Sequence, residues 1–113
     1  MLLVGGDLMA KSRLVDATSR AHVELESTTV EGFAEAVRRA RPSVVVVDLD
    51  EGREAVIKEI GALRESGELP SRTVGYYSHI DKQLGAAAEE AGCEPWPRGK
   101  LWRSLDQLLR SNG

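Results

Sequence analysis

The stretch that decides the fold reads Val44-Val45-Val46-Val47-Asp48-Leu49-Asp50, directly after Arg41-Pro42-Ser43. Four consecutive β-branched residues make a strand without a polar face, which is typical of a parallel sheet covered by helices on both sides. The apolar run stops at Asp48. The stretch therefore predicts a central parallel strand with carboxylates at its carboxyl end.

The rest of the chain alternates between strand and helix patterns. Strands are predicted at 2–4 and 73–77, a half-exposed edge strand at 22–26, and a short last strand at 93–96, whose proline favours an edge position. Apolar residues at helical spacing predict helices at 8–20, 30–40, 54–65, 80–91 and 101–109. This alternation indicates an α/β protein with a doubly wound, five-stranded parallel sheet of order 2-1-3-4-5, helices on both faces, and a flavodoxin-like fold.

Composition and charge restrict the class of protein. A chain of 113 residues, 42% apolar and 29% charged, is ordinary for one soluble globular domain. A net charge of −3 without a basic block argues against nucleic acid binding. Cys93 is the only cysteine, and no apolar run is long enough for a membrane span or a signal peptide. We therefore expect a single cytoplasmic domain over residues 1–113.

Chemistry in such a sheet is expected where the strands end, beside the point at which the strand order reverses. Carboxylates follow the first and third strands, a serine follows the fourth, and basic residues follow the fifth. The expected cluster contains Asp7, Asp48, Asp50 and Ser78, with Arg98 or Lys100 nearby.

Three short motifs resemble the receiver domain of bacterial response regulators. The valine run ending in Asp48 is similar to the third strand of that family, whose terminal aspartate accepts a phosphoryl group from a histidine kinase. Tyr76-Tyr77-Ser78 is similar to the fourth strand, and Ala91-Gly92-Cys93-Glu94-Pro95-Trp96 to the fifth strand and the residues before it. The resemblance implies that Asp48 is the phospho-acceptor, that Ser78 senses the phosphoryl group, and that Trp96 is the switch aromatic.

The sequence departs from the family at the residues that activate the acceptor. Gly5-Gly6 stands where the family has an acidic pair that holds Mg²⁺, and Gly99 falls at the position of its lysine. Mg²⁺ needs several oxygen ligands, so Asp7, Asp48 and Asp50 are the candidate metal ligands that remain. Arg98 and Lys100 are the candidate counter-charges. Mg²⁺ is the only cofactor that the resemblance implies.

Two other motifs are weaker. Ser78, His79 and Asp48 lack the glycines of a nucleophile elbow, so we expect no enzymatic activity. Gly5-Gly6 lacks the remainder of a phosphate-binding motif and is interpreted as a tight turn between strand and helix.

The leading hypothesis is a stand-alone pseudo-receiver, meaning a receiver-like signalling protein with a degenerate phosphorylation site and no output domain, which acts through protein–protein interaction. Its expected partners are another protein, a histidine kinase, or a second copy bound through the strand-five face, where Trp96 and Trp102 are expected to form an exposed patch. One alternative is a working response regulator phosphorylated at Asp48. Another is a small-ligand or nucleotide binding module at the strand-end cleft.

Overall fold

The computed structural model describes residues 1–112. A parallel five-stranded sheet has the order β2-β1-β3-β4-β5, and the doubly wound, flavodoxin-like α/β prediction is confirmed. Along the chain the elements are β1 (Leu2–Val4), α1 (Leu8–Ala21), β2 (Glu26–Thr28), α2 (Phe33–Ala40), β3 (Val44–Asp48), α3 (Leu49–Glu65), β4 (Arg72–Tyr77), α4 (Lys82–Ala91), β5 (Glu94–Pro97) and α5 (Arg98–Asn112).

The sheet separates two apolar clusters, because successive side chains of a strand point to opposite faces. In β3, Val45 and Val47 pack with helices α2, α3 and α4, whereas Val44 and Val46 pack with α1 and α5. All five residues of β3 are buried, as expected for the central strand of a covered sheet. No helix within residues 1–112 combines the length and the apolar character needed to cross a membrane.

The edge strand predicted at 22–26 is displaced to Glu26–Thr28. His22 adopts a left-handed conformation (φ 56°) and ends α1, and the backbone N–H of Val23 donates to the carbonyl of Thr18. These residues therefore complete the helix cap, a contact that the alternating pattern does not reveal.

Two helices begin before the predicted residues. Helix α3 starts at Leu49, but Arg53 breaks it (φ 44°, ψ −133°), so the regular part still begins near the predicted position 54. Helix α5 starts at Arg98, immediately after β5, where the sequence predicted a loop before residue 101. The first turn of α5 therefore lies at the carboxyl edge of the sheet and carries Arg98 with it.

Candidate functional site

Asp48 ends β3 and is only 6% exposed. Its Oδ1 accepts a hydrogen bond from the backbone N–H of Glu51 at 3.1 Å, which caps the first turn of α3. Its Oδ2 accepts from the hydroxyl of Tyr76 at 3.2 Å. Burial raises the pKa of the carboxyl above its ordinary value. Both oxygens of the candidate phospho-acceptor therefore have partners within the protein.

Tyr76 is the donor that the sequence interpretation missed as a site residue. Strand register makes it the Cα partner of Asp48 on β4, and its side chain is fully buried. Burial and then the negative charge of Asp48 raise the pKa of the phenol, so the hydroxyl keeps its proton. In the sequence, an aromatic residue within an apolar strand is interpreted as a core residue. Only the pairing of β3 with β4 shows that Tyr76 is the partner of Asp48.

Arg98 is the cation at this edge of the sheet. Its guanidinium lies 5.2 Å from the ring centre of Tyr76, and one nitrogen donates to Oδ2 of Asp7 at 3.1 Å. Asp7 is also the N-cap of α1, where its Oδ1 accepts from the backbone N–H of Ala10 at 2.8 Å. This capping bond, and then Arg98, lower the pKa of Asp7. Of the two candidate counter-charges, Arg98 is the one bound to a candidate site carboxylate.

Asp50 and Ser78 are in contact, but the contact joins the carboxylate of Asp50 to the backbone of Ser78 and not to its hydroxyl. Asp50 Oδ2 accepts from the N–H of Ser78 at 2.7 Å and Oδ1 accepts from the N–H of His79 at 3.2 Å. Asp50 therefore fixes the loop between β4 and α4. Ser78 itself is exposed.

Glu51 is a second residue that the sequence interpretation did not single out. Its Oε2 accepts from the backbone N–H of Gly6 at 2.9 Å. Gly5 and Gly6 both have positive φ, and a Cβ on Gly5 would lie 2.6 Å from that same oxygen. The turn after β1 therefore requires glycine, and a carboxylate of the protein occupies the N–H group that a bound phosphate would use.

The residues present do not fit the magnesium ion that the resemblance implies. Asp7, Asp48 and Asp50 are each held by donors of the protein, as described above. Across residues 1–112, no group of three or more His, Cys, Asp or Glu side chains is arranged to hold a metal ion. The three aspartates expected to share a cation instead have separate structural partners.

Lys100 and the two tryptophans lie away from the expected arrangement. The ammonium of Lys100 is 4.6 Å from the ring centre of Trp96, and Arg72 is 5.7 Å from the same ring. Trp96 is only 8% exposed and belongs to the core, while Trp102 is half-buried against Tyr76. Trp96 therefore does not belong to an exposed patch, whereas Trp102 is partly accessible, and the interface on the strand-five face stays a prediction.

Fold and strand-end carboxylate together define the class of protein: a flavodoxin-like α/β domain whose architecture fits a receiver-like domain. Among solved structures, the chain is similar to one described as a pilus assembly protein, CpaE, of Burkholderia thailandensis. The two share 19% identity with a TM-score of 0.63, and the likeness covers 98% of this chain and 94% of that one. No protein-family model and no curated protein matches the sequence. At this identity the likeness concerns the fold alone.

Proposed function

We propose that the protein is a pseudo-receiver: a receiver-like signalling protein that acts through protein–protein interaction and not through magnesium-dependent phosphorylation of Asp48. One observation carries the proposal. The carboxylate that would accept the phosphoryl group is 6% exposed, and both of its oxygens already accept hydrogen bonds, from Glu51 and from Tyr76.

Phosphoryl transfer to a carboxylate depends on positioning and on a cation that neutralises the negative charge of both partners. In this chain Arg98 supplies a fixed positive charge at the edge of the sheet, held by Asp7 and by the face of Tyr76. A phosphoryl group on Oδ2 of Asp48 would disrupt the hydrogen bond that the buried Tyr76 hydroxyl donates there, and that hydroxyl would need a new acceptor. These contacts therefore favour the unphosphorylated form of Asp48.

The exposed apolar surface favours the interaction half of the proposal. Leu8, Met9 and Val15 are the large hydrophobic side chains most exposed to solvent among the residues described, at 80%, 62% and 54%, and all three lie on α1. These side chains make α1 the candidate surface for a protein partner. Strand β5 is less suited to extending the sheet into a second copy, because Pro95 and Pro97 lack the N–H groups that such pairing uses.

The test is mass spectrometry after incubation with Mg²⁺ and acetyl phosphate, beside a receiver domain known to be phosphorylated. We expect no phosphoryl adduct on the wild type and no change of tryptophan emission with Mg²⁺. An adduct that Asp48→Asn abolishes and Asp16→Asn retains would refute the pseudo-receiver and establish a phospho-acceptor. Asp16→Asn is the matched control because it removes an exposed carboxylate of α1 that lies outside the candidate site.

The second candidate is a small-ligand module, favoured by a cleft of about 500 Å³ beside Gly5-Gly6, Lys11 and the segment 27–31. Glu31 and Glu51 also line it, so its charge opposes a nucleotide phosphate. A thermal-shift series with nucleotides tests this candidate, because a ligand that binds only the folded state raises the melting temperature.

A further inference from the structure

Tyr76 joins the strand-end carboxylate to helix α5. Its hydroxyl donates to Oδ2 of Asp48 at 3.2 Å. Its ring centre lies 5.6 Å from that of Trp102, with the two planes tilted by 46°, a geometry in the favourable range for aromatic pairs. A single rigid, fully buried side chain therefore contacts the site at one end and a helix at the other.

Trp102 continues the connection to the surface. It is half-buried, and the guanidinium of Arg13, an exposed residue of α1, lies 5.4 Å from its ring centre. Two side chains thus lead from a buried carboxylate to the boundary between α1 and α5, and each contact has a defined geometry.

We propose that Tyr76 couples Asp48 to Trp102, so that a change in the hydrogen bonding of the buried carboxylate alters the surface between α1 and α5. The proposal rests on the proposed function in taking Asp48 as the centre of the site. Its physical basis is that a buried hydroxyl must keep a hydrogen-bond partner. When Asp48 no longer offers Oδ2 as an acceptor, the Tyr76 hydroxyl has to find another acceptor, and the ring shifts with it.

The space around the hydroxyl restricts that movement. A methyl group on Gly6 would lie 3.2 Å from the Tyr76 hydroxyl oxygen, so the β1–α1 turn is already in close contact with it. Arg98 covers one face of the ring at 5.2 Å, and Trp102 is the aromatic neighbour on α5. Displacement of a ring in a close-packed environment is passed to its contacts, because interiors have little free volume.

The residues to which the resemblance assigns switching have other contacts. Ser78 is exposed, and its backbone N–H donates to Asp50. Trp96 is the Cα partner of Tyr76 on β5, but the cations of Arg72 and Lys100 lie 5.7 Å and 4.6 Å from its ring centre. Tyr76 is the residue whose described contacts reach both Asp48 and a side chain at the surface.

The experiment uses the full chain labelled with 5-fluorotryptophan and observed by ¹⁹F NMR, with Trp96→Phe to assign the two signals. Asp48→Ser retains an oxygen that can cap α3 but removes the acceptor of Tyr76. We expect it to shift the Trp102 signal by more than a line width, and the Trp96 signal by less. In the Tyr76→Phe background the same Asp48→Ser change should no longer shift Trp102.

Two matched controls isolate the connection. Tyr77→Phe removes a hydroxyl from the next residue, which packs on the opposite side of the sheet, and Asp50→Ser removes the neighbouring carboxylate. Neither should reproduce the shift of Trp102. If Asp48→Ser lacks the native circular dichroism spectrum, Asp48→Asn replaces it, because its amide can cap α3 while presenting a donor to Tyr76.

An unchanged Trp102 signal in Asp48→Ser, or an equal shift with and without the Tyr76 hydroxyl, would overturn the proposal. These spectra are recorded without a phosphoryl donor, so they do not depend on whether Asp48 can be phosphorylated. Failure of this proposal is thereby distinguishable from failure of the pseudo-receiver function, which an Asp48 adduct reveals.

Discussion

Replacing Arg98 by methionine removes the cation of the site while keeping an unbranched apolar stem that can pack against Tyr76. The ion pair to Asp7 joins side chains that are 29% and 55% exposed, so solvent screens it and its contribution to stability is small. The cation–π contact at 5.2 Å over a buried ring contributes about 1 kcal/mol more. Arg98 Nε is buried without a hydrogen-bond partner, which offsets part of this gain. We expect Arg98→Met to lower the free energy of unfolding by about 1–2 kcal/mol.

The assay is equilibrium urea unfolding followed by tryptophan fluorescence, at low salt and again at about 1 M NaCl, where the Debye length is about 3 Å. Salt should remove the ion-pair share of the loss and leave most of the cation–π share. Arg103→Met is the control: Arg103 is exposed on the same helix, and its replacement should change stability by less than about 0.5 kcal/mol. A loss in Arg98→Met no larger than in this control would refute the argument that Arg98 is the structural cation of the site.

The remaining predictions concern the backbone, a buried acid and a thiol. Burial raises the pKa of Asp48 above its ordinary 3.8, so the folded chain binds this proton more tightly than the unfolded chain does. The difference in unfolding free energy between wild type and Asp48→Asn should therefore fall as pH rises above 3.8, and a difference that does not change with pH would contradict this. Arg53→Gly should raise the unfolding free energy by about 1 kcal/mol, because φ 44° with ψ −133° suits glycine. A lower unfolding free energy of this variant in a urea titration would show that Arg53 is not strained. Gly6→Ala should cost at least about 1 kcal/mol because φ is +95° and the new methyl would lie 3.2 Å from the Tyr76 hydroxyl, and calorimetry showing no change would exclude this. Cys93 is buried with its pKa raised to about 12, so a thiol reagent should modify it only as fast as the chain opens, which a comparison of rates with and without urea measures.

Most of the fold could be predicted from the spacing of apolar residues along the strands and helices. The valine run at 44–47 has apolar side chains on both faces, which are buried when helices cover both sides of the sheet. The alternation of strands and helices then restricts the order in which the strands can pair. The errors lie at element ends, as at His22 and Arg98, because capping geometry and the packing of a helix against the sheet decide where a segment begins.

The sequence by itself determined the class of sheet, the position of Asp48 at the end of its central strand, and the glycine turn at Gly5-Gly6. These follow from local pattern, since burial and conformational freedom are properties of short segments. Tertiary structure alone decided that Tyr76 binds Asp48 and that Arg98, not Lys100, pairs with Asp7. Partners of polar side chains depend on strand register and on where a distant helix begins. These contacts connect Asp48 to Tyr76 and Asp7 to Arg98 across residues that are far apart in the sequence.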